Sequence, residues 1–80
     1  MTDSRVEIHA GLNQAADAIQ ADRYDDAIAE MARLNDRFTI PHLPYLLERG
    51  QGLKRNKARS PEDVARIVED LRRVAVELGP

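Results

Sequence analysis

The chain has no cysteine and no tryptophan, only two Tyr and one Phe, and four each of glycine and proline among its 80 residues. Lack of cysteine excludes a disulfide framework and a thiolate metal site. The scarcity of aromatics excludes a stacking platform for single-stranded nucleic acid. Apolar runs never exceed two or three residues, far short of a membrane span. The opening Met1-Thr2-Asp3-Ser4-Arg5 has no apolar core of the kind a signal peptide carries, so the expectation is a cytoplasmic protein without membrane attachment. Excess charge is small as well: the formal net charge is −2, which excludes a whole-molecule attraction to nucleic acid.

What is there is one helical domain. A chain of this length supports a single core and hides only about 60–65% of the surface it exposes when unfolded, so a stability of about 5 kcal/mol is expected. Eleven Ala and eight Leu combine with helical periodicity almost throughout. The expected elements are four helices, approximately 4–21, 23–38, 43–56 and 61–78, in an all-α antiparallel bundle.

Each helix has its own reasons. Ile8, Leu12, Ala15, Ala16 and Ile19 form one stripe, with Ser4 and Glu7 at capping-box spacing and Gly11 inside the helix at a cost of about 1 kcal/mol relative to Ala. A turn at Ala21-Asp22-Arg23 follows, with Asp22 expected as the cap of the second helix and Asp25 and Asp26 in its first turn, where the helix dipole favours acids. The second stripe is Tyr24, Ala27, Ile28, Met31, Leu34 and Phe38. Pro41 ends that helix, and Pro44 suits the first turn of the third. In the third helix Leu43, Leu46, Leu47, Gly50 and Leu53 keep helical spacing. That spacing favours a helix running to about Asn56 over a short one ended by Gly50 and Gly52. Ser60-Pro61-Glu62-Asp63 then supplies a cap, a first-turn proline and two early acids for the last helix. Its stripe is Val64, Ile67, Val68, Leu71, Val74, Ala75 and Leu78.

The segment Ala18-Ile19-Gln20-Ala21-Asp22-Arg23-Tyr24-Asp25-Asp26-Ala27-Ile28-Ala29-Glu30 resembles the middle of a tetratricopeptide repeat. In that family a small residue, a turn, a Tyr and an Ala lock two antiparallel helices. The resemblance spans residues 8–38 and places Tyr24 and Ala27 where the family packs its second helix against its first; Asp22 stands where the family usually has Gly. One repeat cannot bury its own face, so the resemblance implies a helical hairpin first and a peptide-binding function second.

Charge is segregated along the chain. Residues 1–36 carry eight acids and three bases, a net of −5; residues 37–59 carry one acid and six bases, a net of +5; residues 60–80 carry five acids and three bases, a net of −2. The cations of 49–59, namely Arg49, Lys54, Arg55, Lys57 and Arg59, are the candidate anion or nucleic-acid contacts, since clustered Lys and Arg neutralise phosphates. The competing reading sets them against the C-terminus of the third helix and the acidic first half of the chain.

No catalytic centre emerges. His9 and His42 lie 33 residues apart with no ligand spacing for a metal. The carboxylate pairs Asp25/Asp26, Glu62/Asp63 and Glu69/Asp70 are adjacent on helices, about 100° apart, and do not converge on one proton. Ser4 and Ser60 are explained as caps. The expectation is a non-enzymatic protein without a cofactor: an adaptor, regulator or inhibitor that docks to a partner protein, with a nucleic-acid-binding regulator using residues 49–59 as the alternative.

The last helix carries the expected interface. Val64, Leu71 and Leu78 repeat every seven residues, with Ile67 and Val74 three residues later, the seam by which two helices wrap each other. Val68, Ala75 and Val76 widen the apolar face beyond what one neighbouring helix covers. Val68, Leu71, Ala75 and Val76 are therefore the expected partner-binding residues, for another protein or for a homodimer.

Overall fold

A computed structural model describes residues 4–56 and 60–78. Among them run four helices, α1 (Ser4–Gln20), α2 (Tyr24–Arg37), α3 (Leu43–Arg55) and α4 (Pro61–Leu78). Each packs on two neighbours, closing a ring in the order α1, α2, α3, α4; the α1–α4 contact is the most extensive and the α3–α4 contact the thinnest. The protein is an all-α antiparallel four-helix bundle, as short connections between amphipathic helices require.

The core collects one stripe from each helix. Leu12 and Ile19 of α1, Met31 and Leu34 of α2, Leu43 and Leu46 of α3, and Ile67 and Leu71 of α4 are its largest fully enclosed side chains. Ile28, Phe38, Leu47, Val64 and Leu78 pack against this core while partly buried. Between α2 and α3 Ile40 turns inward and is only 3% exposed. Its carbonyl accepts the amide of Leu43 at 3.2 Å, so the loop that Pro41 forces also plugs the end of the bundle. No polar or charged side chain is fully buried among the described residues. Apart from the phenol of Tyr24, which is 6% exposed, the core therefore needs no internal hydrogen-bond partners.

The turn between α1 and α2 corrects one expectation. Asp22 does not cap α2: the cap position is Arg23, which makes no side-chain cap bond. Asp22 instead ends α1, in the left-handed region at φ 61°. The amide of Arg23 reaches the Ala18 carbonyl at 2.8 Å, and that of Asp22 reaches Ile19 at 3.1 Å. This is a Schellman closure, in which a left-handed residue lets two amides satisfy the final carbonyls of a helix. Aspartate tolerates that conformation better than most residues with a Cβ. At α4 the expected cap is present: Ser60 Oγ accepts the Glu62 amide at 3.1 Å. The α3 helix passes through Gly50 and Gly52 and ends at Arg55.

Two glycines are close-approach sites. A Cβ on Gly11 would lie 2.8 Å from both Glu30 Oε1 and Leu34 Cδ1, and one on Gly50 would lie 3.0 Å from Met31 Cε, whereas nothing approaches Gly52 within 4 Å. Gly11 thus lets Leu34 and Glu30 of α2 lie directly against α1, which is what its helix-propensity cost is set against.

The width of α4 is the second correction. Leu71 and Ala75 are fully buried and Val68 is 6% exposed, so three of the four expected interface residues belong to the core. Two neighbours, α1 and α3, flank the stripe, and together they cover what a single helix would leave open. Only Val76, at 75% exposure, stands outside.

Two stability measurements check this packing. Leu71→Ala lowers the unfolding free energy by about 2–5 kcal/mol, the cost of emptying a fully enclosed leucine site, and chemical denaturation reads it directly. Gly52→Ala raises stability by about 0.5–1 kcal/mol through helix propensity alone. The same change at Gly11 falls short of that gain by about 1–3 kcal/mol, because Leu34 must be displaced. Equal effects at the two glycines would contradict the close approach of α1 and α2.

Candidate interaction site

The thin seam between α3 and α4 opens into a cleft of about 260 Å³. Its floor is Leu46 and Val74, and its rim carries His42, Tyr45, Asp70, Arg73 and Glu77. Pro44, in the first turn of α3, is followed directly by Tyr45. Tyr45 lies off the buried stripe of Leu43, Leu46, Gly50 and Leu53, and 60% of it is exposed. Arg49, one turn on, sets its guanidinium 5.6 Å from the Tyr45 ring centre and reaches Asp70 at 3.5 Å. Across the rim Arg73 bonds Glu69 at 3.1 Å and lies 3.8 Å from Asp70. Tyr45 is therefore an exposed aromatic held by a cation that is itself anchored to α4. His42 precedes α3 with φ 69° and no side-chain cap bond.

The basic segment does not converge on one surface. Arg49 leans to α4, while Lys54 leans the other way and pairs with Asp25 of α2. Arg55 donates to the Gln51 carbonyl one turn earlier, at 3.4 Å. Lys57 and Arg59 lie outside the described residues. Among the described cations of this segment, two are spent on acids of neighbouring helices, and the third covers the C-terminus of its own helix.

Elsewhere the polar side chains serve as clasps. Glu7 bridges Arg33 and Arg37, and Arg33 is bidentate on Glu30 at 2.5 and 3.2 Å. The hydrogen bonds that Arg33 donates to Glu30 and, second, to Glu7 hold its guanidinium above its ordinary value. A raised arginine stays charged through the whole neutral range, so its own proton adds no pH dependence there. On the α1–α4 seam Arg72 donates to Asn13 at 3.0 Å, Asp17 at 2.7 Å and Gln20 at 3.0 Å. His9 gives its Nδ1–H to the Ala75 carbonyl at 3.1 Å, which leaves it a structural side chain.

A wider hollow of about 570 Å³ lies at the other end of the bundle, walled by Ile19, Tyr24, Val64 and Val68. It is where the expected residue Val68 meets solvent. Among the described residues it carries no exposed aromatic and no cation. No His, Cys, Asp and Glu side chains among the described residues are grouped so as to hold a metal, and no helix is long and apolar enough to cross a membrane.

Tyr45 is not among the expected site residues, although the sequence carries a signal for it. In a chain with three aromatics, one that falls off the apolar stripe has no core to fill. Comparison with protein-family models, with curated proteins and with solved structures finds no match to this chain.

Proposed function

We propose that this protein is a small non-enzymatic interaction module, an adaptor, regulator or inhibitor, that docks a partner protein at the α3–α4 cleft. The observation that carries this reading is Tyr45, 60% exposed and braced by Arg49 at the mouth of the cleft. Tyrosine and arginine around an apolar depression are the residue types that dominate binding energy at protein interfaces. Holding an aromatic in place beforehand also reduces the ordering cost of association. The pairing of Arg49 and Lys54 with Asp70 and Asp25 disfavours the nucleic-acid reading, because those cations would have to leave acids in order to meet phosphates.

Affinity capture from a native lysate with wild-type and Tyr45→Ala protein tests this. A protein held by the wild type and lost from the variant, at unchanged helicity and with stability within about 0.5 kcal/mol as for other surface changes, supports the cleft. Identical capture by both overturns it. Oligonucleotide binding that falls steeply with salt would replace it with the nucleic-acid regulator.

A further inference from the structure

We propose that the outward face of α4 seats a second copy of this chain, with the two α4 helices antiparallel about a two-fold axis. The proposal rests on the charge pattern of that face and stands independently of what the cleft docks. Arg66 and Glu77 are both exposed, and neither makes an ion pair with another described residue. They lie eleven residues apart, about three helical turns, and so within about 20° of one line along the helix. Ala65 and Val76, both exposed, repeat the spacing one residue earlier and define a second line about 100° round. Between the two lines lie Glu69 and Arg73, already joined at 3.1 Å.

This arrangement is self-complementary. In an antiparallel pair related by a two-fold axis perpendicular to both helices, residues on the same flank meet, and every contact is made twice. Arg66 then meets Glu77 of the second copy on one flank, and Ala65 meets Val76 of the second copy on the other. In the centre the Glu69–Arg73 pairs of the two chains close into a ring of alternating charges. All three pairings share one centre, since the midpoints of 66 and 77, 65 and 76, and 69 and 73 fall within half a residue of position 71. One helix register therefore satisfies all of them together. The pairing also covers Val76, which at 75% exposure is the most exposed large apolar side chain among the described residues. A phosphate-bearing partner fits this face poorly, because Glu62, Glu69 and Glu77 line it alongside Arg66 and Arg73.

The face is mostly polar, so the expected dimer is weak, with a dissociation constant of roughly 10–100 µM, and it weakens further with salt. Sedimentation equilibrium on wild type, Arg66→Glu and the double exchange Arg66→Glu/Glu77→Arg tests the proposal, with circular dichroism confirming that helicity is kept. Arg66→Glu sets like charges opposite each other twice and should raise the dissociation constant by about tenfold or more. The double exchange should restore it to near the wild-type value. A wild type that stays monomeric at about 1 mM in low salt, where surface charges are least screened, overturns the proposal. A dimer indifferent to Arg66→Glu, or one that the double exchange fails to restore, places the contact elsewhere and overturns it equally.

Discussion

The close seating of α1 between α2 and α4 is the constraint on which the rest of the bundle depends. An 80-residue chain has little volume to bury, and it closes a ring of four helices only where helix axes come near one another. α1 allows this by burying Gly11, Ala15, Ala16 and Ala18 along with the larger Ile8, Leu12 and Ile19. On one side Leu34 and Glu30 occupy the space a side chain at Gly11 would need. On the other, α4 lies close enough for His9 to reach a backbone carbonyl and for Arg72 to span three residues of α1. The left-handed turn at Asp22 belongs to the same constraint, since it reverses the chain within three residues and lets Tyr24 and Ala27 enter the core at once.

Outside the apolar core each seam carries its own ion pair. Glu7 with Arg33 and Arg37 joins α1 to α2, Lys54 with Asp25 joins α2 to α3, Arg49 with Asp70 joins α3 to α4, and Arg72 with Asp17 joins α4 to α1. These pairs are partly or largely exposed, so each adds little to stability. Their value lies in matching: Asp17 and Asp25 of the acid-rich first half find cations in later segments, and Arg49 finds Asp70, which favours one order of helices around the ring over its alternatives. Part of the segregation of charge along the chain is thus the linear image of a three-dimensional pairing, in which Arg49 and Lys54 of the basic segment meet Asp70 and Asp25.

Much of this was legible beforehand because stripe and punctuation agree locally. Ser60-Pro61 and the 3–4 spacing after it specify α4 to the residue, and the four stripes name the core. Properties that depend on two elements at once were not legible. Gly11 reads as a propensity defect until Leu34 is placed opposite it. Asp22 reads as a cap for the helix ahead because its role in closing the helix behind depends on φ, not on composition. Val68 and Ala75 read as surplus apolar surface as long as α4 is given one neighbour. With α1 and α3 on either flank they are core, and the surplus shrinks to Val76. Tyr45 is legible in part: the sequence shows an aromatic off the apolar stripe, but the thinness of the α3–α4 seam, a property of the assembled ring, is what makes it the rim of a cleft.

The two proposed surfaces share side chains, and that has a thermodynamic consequence. Arg73 and Glu77 stand on the rim of the α3–α4 cleft and also on the outward face of α4, where a second copy would engage them. A ligand that draws Glu77 into the cleft removes the carboxylate that Arg66 of the second copy needs. Conversely, a dimer that fixes Glu77 at its interface narrows the cleft from the α4 side. Two binding events that require one group in two places are negatively coupled, and the coupling is reciprocal, equal in free energy whichever event comes first. A weak dimer suits such an arrangement, because self-association that costs little to undo can be displaced by a partner of ordinary affinity. The small core and the polar outer face of α4 belong together in one respect: the inner stripe is committed to its own chain, and only the outer one, with Arg66, Val76 and Glu77, is left facing outward.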